Sequence, residues 1–180
     1  MITKLDKHDF EGIRAGYESD PSASLSLQAD AYTSSDWFGL EQNAVFSHSW
    51  LWVCHVEKLR EPGAYVTTNV AGHSVVVIRD RDDTLRAFYN VCKHRAHELL
   101  QGEGRVSHIT CPYHAWAYRL DGQLHVAPHT GSLKGFDRSE IYLDQVKVEA
   151  FCGFIYVNLD PKAAPLAEQS GDLRRESGLA

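Results

Sequence analysis

The sequence has no long apolar run. Its longest apolar stretch extends from Ala150 to Val157 and contains Gly153, whereas a membrane-spanning helix needs about 18 or more apolar residues. The N-terminal segment MITKLDKHDF also lacks the apolar centre of a secretory signal peptide. We therefore expect a cytoplasmic protein that does not act at a membrane.

Positive charge is scarce and scattered. The 180 residues include 18 Lys and Arg against 24 Asp and Glu, which gives a net charge of −6. Binding to nucleic acid or to an anionic membrane needs a basic cluster, and none is present. We expect neither partner. The length is typical of one domain, since single domains usually contain about 100–200 residues.

Cysteine is sparse and methionine nearly absent, whereas histidine is plentiful. The chain contains four Cys, one Met and ten His. In a reducing cytoplasm, we interpret the cysteines as thiols, metal ligands or catalytic groups rather than disulfides. The sequence therefore carries a stock of metal-ligating side chains without any other unusual bias.

Turn signals divide much of the chain into short strands. Residues 1–36 are polar, with a Ser-rich stretch over Ser19–Ser26, and we interpret them as a loosely structured arm followed by a short helix over Glu41–Ser47. Aromatic and β-branched runs predict strands over Leu51–Val56, Tyr65–Val70, Ser74–Arg79 and Leu85–Val91. Strands at this spacing favour a mainly β fold, as a sandwich or barrel.

A second strand-rich stretch runs from Arg105 to Val126. Within it, Asp121-Gly122 predicts a two-residue type I′ hairpin turn, because both central residues of that turn adopt positive φ. The turn would join predicted strands over Trp116–Leu120 and Gln123–Val126. The rest of the chain is predicted to form two closing strands, Lys147–Glu149 and Phe154–Leu159, and a weakly amphipathic helix, Leu166–Arg175.

Two short segments each combine one Cys with one His. Cys92-Lys93-His94 follows the predicted strand Leu85–Val91, and Cys111-Pro112-Tyr113-His114 begins after a further sixteen residues. One zinc ion accepts two Cys and two His, although Cys-x-His is a tight spacing for one tetrahedral ion. A 2Fe-2S cluster relaxes that constraint because its ligands are divided between two irons, as in a Rieske centre. The spacing alone is compatible with either a zinc site or a 2Fe-2S cluster.

The ligand set has a consequence for redox chemistry. An oxidised 2Fe-2S core with two thiolates and two neutral imidazoles is neutral overall, whereas four thiolates leave it negative. Adding an electron to a neutral site costs less, so the potential lies at about −150 to +300 mV, against about −400 mV for plant-type ferredoxins. Imidazole protonation should also make the potential depend on pH. Such a site is a one-electron relay.

The other ligand-type residues are interpreted differently. Cys54 and Cys152 fall in predicted strands between aromatic and β-branched neighbours, so we expect both to be buried thiols. His125 and His129 flank Pro128, which breaks the helical turn that would align such a pair. We therefore do not predict a metal site there.

Several segments together carry a family pattern. They are FYNVCKHRA (88–96), GEG (102–104), CPYHAWAY (111–118) and LDG (120–122), flanked by FSHSWLWVCHVE (46–57) and FCGFIYVNLD (151–160). Over about residues 37–165, this pattern resembles the Rieske domain of the large (α) subunit of ring-hydroxylating and related Rieske non-haem iron oxygenases. The Rieske proteins of respiratory complexes fit less well, because they carry an extra Cys in each cluster loop.

The resemblance implies a fold and a ligand set. The fold would be the Rieske iron-sulfur fold, an antiparallel β sandwich with a small subdomain of two cluster-binding loops at about residues 90–118 and short terminal helices. Cys92 and Cys111 would bind one iron, and His94 and His114 the outer, more exposed one. Arg95 would bias the potential and shape the docking surface, and Trp116 would pack against the loops. Residues 1–36 would be an arm, and 166–180 a segment leading towards a catalytic domain.

Two departures from the family pattern indicate a branch. Most members have Gly where this chain has Ala96 and Ala115. The variant present here is similar to the branch that oxidises quaternary ammonium compounds such as carnitine, choline and glycine betaine. Gln101 and the preceding Glu98-Leu99-Leu100 agree with that branch.

The resemblance also implies that the chain functions together with a catalytic domain and an electron donor. In the family, a mononuclear Fe(II) in a C-terminal domain is held by two His and a carboxylate, with the two His five positions apart, and no two His of this chain have that separation. We therefore expect a bacterial electron-transfer domain that accepts electrons from a reductase or ferredoxin and assembles as a trimer in full-length form. The alternatives are a free-standing Rieske-type ferredoxin and a structural zinc module.

Overall fold

The computed structural model describes residues 16 and 18–171, which divide into two compact units between Phe46 and Ser47. In the first unit, α1 spans Asp30–Thr33 and α2 spans Ser35–Ala44. Helix α2 begins well before the predicted start at Glu41, because the Ser34 hydroxyl accepts a hydrogen bond from the Trp37 N–H at 3.4 Å and caps the first turn. The predicted arm thus includes helical residues, and its positions 1–15 and 17 lie outside the described residues.

A seven-stranded antiparallel sheet forms most of the second unit. Its strands are β1 (Leu51–His55), β2 (Ala64–Val70), β3 (His73–Arg79), β4 (Leu85–Tyr89), β5 (Glu103–Arg105), β9 (Gln145–Phe151) and β10 (Phe154–Asn158). Their order across the sheet is β1-β10-β9-β4-β3-β2-β5. The strands predicted in these segments are confirmed, although β4 ends at Tyr89 rather than at Val91.

A second, three-stranded sheet consists of β6 (Ile109–Thr110), β7 (Ala117–Tyr118) and β8 (Leu124–Val126). The predicted type I′ turn is wrong, because Gly122 has a positive φ of 89° and Asp121 does not. The Gly122 N–H instead donates to the Arg119 carbonyl at 3.0 Å, which closes a four-residue turn ending in a left-handed glycine. A Cβ on Gly122 would lie 2.6 Å from the Phe88 ring, so only glycine lets this turn contact β4.

Two apolar cores lie on opposite faces of β3. Side chains alternate along a strand, and accordingly Val75 and Val77 belong to one core while Val76 and Ile78 belong to the other. The first core also contains side chains from β1, β2 and β10, which shows that the large sheet curls around it. The second core lies between the large and small sheets and includes Cys92 and Cys111.

Short helical segments complete the described residues. Turns of 3₁₀ helix span Phe46–His48, Val56–Leu59 and Arg138–Glu140, and α3 spans Leu166–Gln169. The predicted continuation of α3 to Arg175 falls on residues 172–180, which lie outside the described part of the chain. Within the described part, no helix combines the length and apolarity needed to cross a membrane. The prediction of a mainly β fold with short terminal helices is confirmed.

Candidate metal centre

Two loops carry the predicted ligands, and their cysteines lie in the second core. The first loop follows β4 and carries Cys92 and His94, and the second joins β6 to β7 and carries Cys111 and His114. Both sulfur-bearing residues are 2% exposed. The structure therefore brings the two Cys-His segments to one end of the small sheet.

The two loops have the same backbone turn. In the first, the Cys92 carbonyl accepts from the Ala96 N–H at 2.9 Å, and the Cys92 N–H donates to the His97 carbonyl at 2.9 Å. In the second, the Cys111 carbonyl accepts from the Ala115 N–H at 3.0 Å, and the Cys111 N–H donates to the Trp116 carbonyl at 2.8 Å. The loops differ in their histidines, which follow the cysteine by two residues in one case and by three in the other.

Both turns end in a left-handed alanine. Ala96 has a φ of 52° and Ala115 a φ of 57°. This region costs an L-residue roughly 1–2 kcal/mol, whereas glycine enters it freely. The geometry explains why glycine is common at these two positions and shows that the two alanines keep the turn at an energetic cost.

The sulfurs lie side by side in apolar surroundings. The Cys111 side chain is within hydrogen-bonding reach of Cys92, and burial raises the pKa of the Cys92 thiol. The Cys92 thiol therefore holds its proton until a metal displaces it, because the cation stabilises the thiolate form. The pair is suited to a metal ion rather than to a catalytic thiolate.

Tyr118 caps the sulfur pair. Its side chain is fully buried, and its hydroxyl oxygen lies 3.3 Å from Cys92 Sγ. The Lys93 N–H donates to this oxygen at 3.0 Å, so the phenolic hydrogen is free to point at the sulfur. Burial and the nearby Cys92 raise the pKa of Tyr118, which keeps the hydroxyl protonated. The sequence analysis missed this residue; its only signal was an aromatic residue in a short strand after the second loop.

The imidazoles lie on the other side of the sulfurs, close to each other. The His94 and His114 ring centroids are 4.7 Å apart, with the planes at 73°. His94 also stacks on the buried Trp116 at 4.8 Å and 9°, which agrees with the packing role expected for that residue. The structure thus orients the His94 ring through an aromatic contact.

One imidazole nitrogen has no protein partner. Nδ1 of His114 is buried and forms no hydrogen bond with any described residue. Desolvation, followed by the positive charges of His94 and Arg95, lowers the pKa of His114. A buried nitrogen without a hydrogen-bond partner, on a neutral imidazole ring, is available to bind a metal ion.

The ligands are grouped in twos. Among the described residues, no three His, Cys, Asp or Glu side chains converge closely enough to hold one metal ion. A single tetrahedral zinc would need such convergence, whereas two irons need only a sulfur pair and an imidazole pair. The sulfur pair and the imidazole pair fit a two-iron cluster.

A buried amide fixes the base of the first loop. Asn90 Nδ2 donates to the Leu100 carbonyl at 2.7 Å and to Ser74 Oγ at 3.1 Å, while its Oδ1 accepts from the Leu100 N–H at 3.0 Å. Ser74 Oγ in turn donates to Glu98 Oε1 at 2.7 Å, and this bond lowers the pKa of Glu98. The Asn90 N–H also donates to the Ser74 carbonyl at 2.9 Å, just past the end of β4. Sequence reasoning did not single it out.

The remaining predicted residues have mixed outcomes. Arg95 is exposed and lines a groove beside the two imidazoles. Cys54 is buried as predicted. The prediction for Cys152 is wrong: it lies in the β9–β10 turn with a positive φ of 48° and is only partly buried. His125 stacks on His108, with ring centroids 5.4 Å apart.

Comparison with known proteins identifies the class. Residues 49–137 match the family described as Rieske [2Fe-2S] domain. The chain belongs to this family, and the residues present fit its 2Fe-2S cluster, because paired sulfurs, paired imidazoles and an orphaned ring nitrogen are what such a cluster uses.

Among its relatives are oxygenase subunits. The chain is 41% identical over 160 residues to the carnitine monooxygenase oxygenase subunit of Acinetobacter baumannii, covering 88% of this chain and 43% of that protein. It is 34% identical over 145 residues to the benzene 1,2-dioxygenase subunit alpha of Pseudomonas putida, covering 79% of this chain and 32% of the relative.

A solved structure agrees. The quaternary ammonium Rieske monooxygenase CntA in complex with substrate L-carnitine superposes with a TM-score of 0.77 at 42% identity, over 82% of this chain and 42% of that one. The expected resemblance to oxygenase α subunits, with the quaternary ammonium branch, is confirmed, and a free-standing carrier is not favoured. The chain spans less than half the length of these relatives.

Proposed function

We propose that residues 37–165 form the electron-transfer domain of an oxygenase α subunit. Cys92 and Cys111 would hold the inner iron of the cluster, and His94 and His114 the outer iron. When bound, the cluster supplies one-electron redox chemistry. The observation that carries the proposal is the mirrored pair of loops, with two buried sulfurs on one side and two adjacent imidazoles on the other.

The residues around the sulfurs and those around the imidazoles would have different roles. Tyr118 and Trp116 keep water from the sulfurs, since both side chains are buried in the second core. His94 is exposed and His114 half-buried, so the imidazole edge offers the shorter route to a docked protein. We therefore assign electron exit to that edge.

A groove at the imidazole edge supports a docked subunit. It has a volume of about 580 Å³ and is lined by His94 and His114 together with the apolar side chains Trp116, Leu133 and Phe136. Leu133 is 56% exposed and lies beside Phe136 and Trp116 in the lining, so the groove presents a group of apolar side chains to a covering surface. We assign this groove to a neighbouring α subunit of a homotrimer, whose mononuclear Fe(II) would receive the electron. A solved relative is described in terms of inter-subunit electron transfer.

The donor, compartment and substrate complete the proposal. A reductase or ferredoxin would reduce the cluster in the bacterial cytoplasm, and residues 166–180 would lead towards the catalytic domain. The oxygenase would hydroxylate or demethylate a quaternary ammonium compound such as carnitine. Support comes from identities of 41–42% to carnitine monooxygenase subunits, against 33–36% to aromatic dioxygenase subunits.

The electron-transfer assignment is tested on the purified chain under anaerobic conditions. We expect a coloured protein with two irons and two sulfides per chain, silent in electron paramagnetic resonance when oxidised and showing a signal after dithionite reduction. A colourless protein with one zinc per chain and no signal would refute the assignment.

The substrate assignment needs the complete oxygenase that contains this chain, supplied with its reductase. We expect oxygen-dependent consumption of L-carnitine to exceed that of benzene or naphthalene. Preference for an aromatic substrate would refute the quaternary ammonium proposal while leaving the electron-transfer proposal intact.

A further inference from the structure

A second recess shares no lining residue with the imidazole groove. Its volume is about 410 Å³, and the chain segments that line it are the β3–β4 turn, the residues before β6, the β7–β8 turn and β8. Two arginines and two histidines face it: Arg81, Arg119, His108 and His125. This concentration of nitrogen donors stands out in a chain whose net charge is −6.

Protein acceptors hold both guanidinium groups. Arg81 Nη2 donates to the Ser107 carbonyl at 3.2 Å, and Arg119 Nη1 donates to Gln123 Oε1 at 3.0 Å. A guanidinium carries five N–H donors, so each arginine keeps donors for a ligand. Because the side chains are already anchored, less rotational freedom is lost when a ligand binds.

The two imidazoles form a layer beside these arginines. The His108 and His125 rings stack with centroids 5.4 Å apart and planes at 12°. His108 Nδ1 lies 3.4 Å from Ser107 Oγ, which ties this ring to the residue that anchors Arg81. Each ring brings further N–H capacity to the recess.

The carboxylates of the recess are occupied by other donors. Asp80 Oδ2 accepts from Arg86 Nε at 2.6 Å, and Asp80 Oδ1 accepts from the Arg81 N–H at 2.6 Å. Asp121 Oδ1 accepts from the Gln123 N–H at 2.9 Å. Across the described part of the chain, neither Arg81 nor Arg119 has a salt-bridge partner. Both guanidinium groups therefore lack an ion-pair partner among the described residues, while Asp121 adds one carboxylate to the same lining.

We propose that this recess binds a small oxyanion, either inorganic sulfate or phosphate or the carboxylate or phosphate group of a metabolite. Two anchored guanidiniums match the bidentate geometry that such groups offer. The volume fits a ligand of this size better than it fits a protein surface, since small-molecule pockets occupy about 300–1,000 Å³. The site is independent of the proposed electron-transfer function.

The test is sulfate binding to the cluster-loaded protein, measured by titration calorimetry in a low-salt buffer. We expect saturable binding at one site per chain, and about tenfold or greater weakening in the double variant Arg81→Gln/Arg119→Gln, because charge-assisted hydrogen bonds are lost. Ring-proton resonances of His108 and His125 should shift during the titration.

The matched control is Arg60→Gln/Arg138→Gln, which removes the same charge from two exposed arginines that do not line this recess. We expect its sulfate affinity to match that of the unmodified chain. No saturable binding, equal weakening in both double variants, or unmoved His108 and His125 signals would each overturn the proposal. Visible absorption of the cluster confirms folding of every variant, so these outcomes are separate from failure of the electron-transfer assignment.

Discussion

The sulfur side and the imidazole side of the centre have opposite surroundings. Cys92 and Cys111 lie in an apolar core beneath a buried tyrosine, whereas His94 is exposed and His114 faces a groove. Each of the two loops, which share one backbone turn, thus places its cysteine inward and its histidine outward. We therefore expect the inward side to determine the stability and the potential of the centre, and the outward side to determine its contacts.

The largest effect should come from losing a ligand. We expect Cys92→Ser, Cys111→Ser or His114→Ala to abolish cluster incorporation, because each iron depends on a pair of ligands. Iron and sulfide analysis measures the effect, and Cys54→Ser is the matched control because this thiol is also buried. Equal iron loss in the Cys54 variant would show that the four-ligand assignment is wrong.

The base of the first loop should matter next. Asn90→Ala removes four side-chain hydrogen bonds and leaves the partly buried backbone groups of Leu100 without these partners. We expect the free energy of unfolding to fall by about 2–4 kcal/mol, since each unsatisfied buried group costs about 1–3 kcal/mol. Urea unfolding measures the change.

The control for this prediction is Asn69→Ala, because the exposed Asn69 forms one side-chain hydrogen bond, to the Gly72 N–H at 3.0 Å. We expect a loss below about 1 kcal/mol there. Similar losses in the two variants would contradict the anchoring role of Asn90.

The hydroxyl of Tyr118, on the sulfur side, should raise the midpoint potential of the cluster. Tyr118 is positioned to donate to Cys92 Sγ, and a hydrogen bond to a cluster sulfur stabilises the more negative, reduced state. We expect Tyr118→Phe to lower the midpoint potential by about 40 mV, equivalent to about 1 kcal/mol in a one-electron couple. Tyr113→Phe, on an exposed ring 3.7 Å from the His114 ring, should leave the potential nearly unchanged. A larger change in midpoint potential for Tyr113→Phe than for Tyr118→Phe would contradict the role assigned to the Tyr118 hydroxyl.

The smallest effect concerns the two left-handed alanines. We expect Ala96→Gly and Ala115→Gly each to raise the free energy of unfolding by up to about 1 kcal/mol, because glycine relieves the positive-φ cost but loses more entropy on folding. Thermal unfolding measures the change. Ala150→Gly, in strand β9, should instead destabilise by about 0.5–1 kcal/mol. Destabilisation by glycine at either loop position would refute the account of these turns.

Local patterns predicted much of this arrangement. The β-branched runs of β2 and β3 and the one-Cys-one-His loops appear directly in the sequence, because period-two packing and ligand chemistry act over a few residues. The start of α2 was missed because the cap at Ser34 outweighed the weak pattern before Glu41. The partial exposure of Cys152 was missed because this residue lies in the tight turn that joins β9 to β10 and not within a strand.

Long-range partners could not be predicted in this way. Tyr118 lies 26 residues from Cys92, and only the pairing of β6 with β7 brings its hydroxyl to that sulfur. Asn90 depends on Ser74 and Leu100, which come from another strand and from the far end of the loop. The grouping of the recess arginines likewise follows from the packing of separate turns.

The backbone turn shared by the two loops makes the centre sensitive to the number of residues in each loop. In each loop, the left-handed alanine is the fourth residue after the cysteine. The same pair of backbone hydrogen bonds closes this interval in both loops. Side chains inside that interval can vary without affecting closure, because the closing bonds are made by the main chain alone. An insertion or deletion of one residue would break both bonds at once. Apart from the proposed ligands His94 and His114, we therefore expect the residue types inside the interval to tolerate change, whereas the number of residues should not.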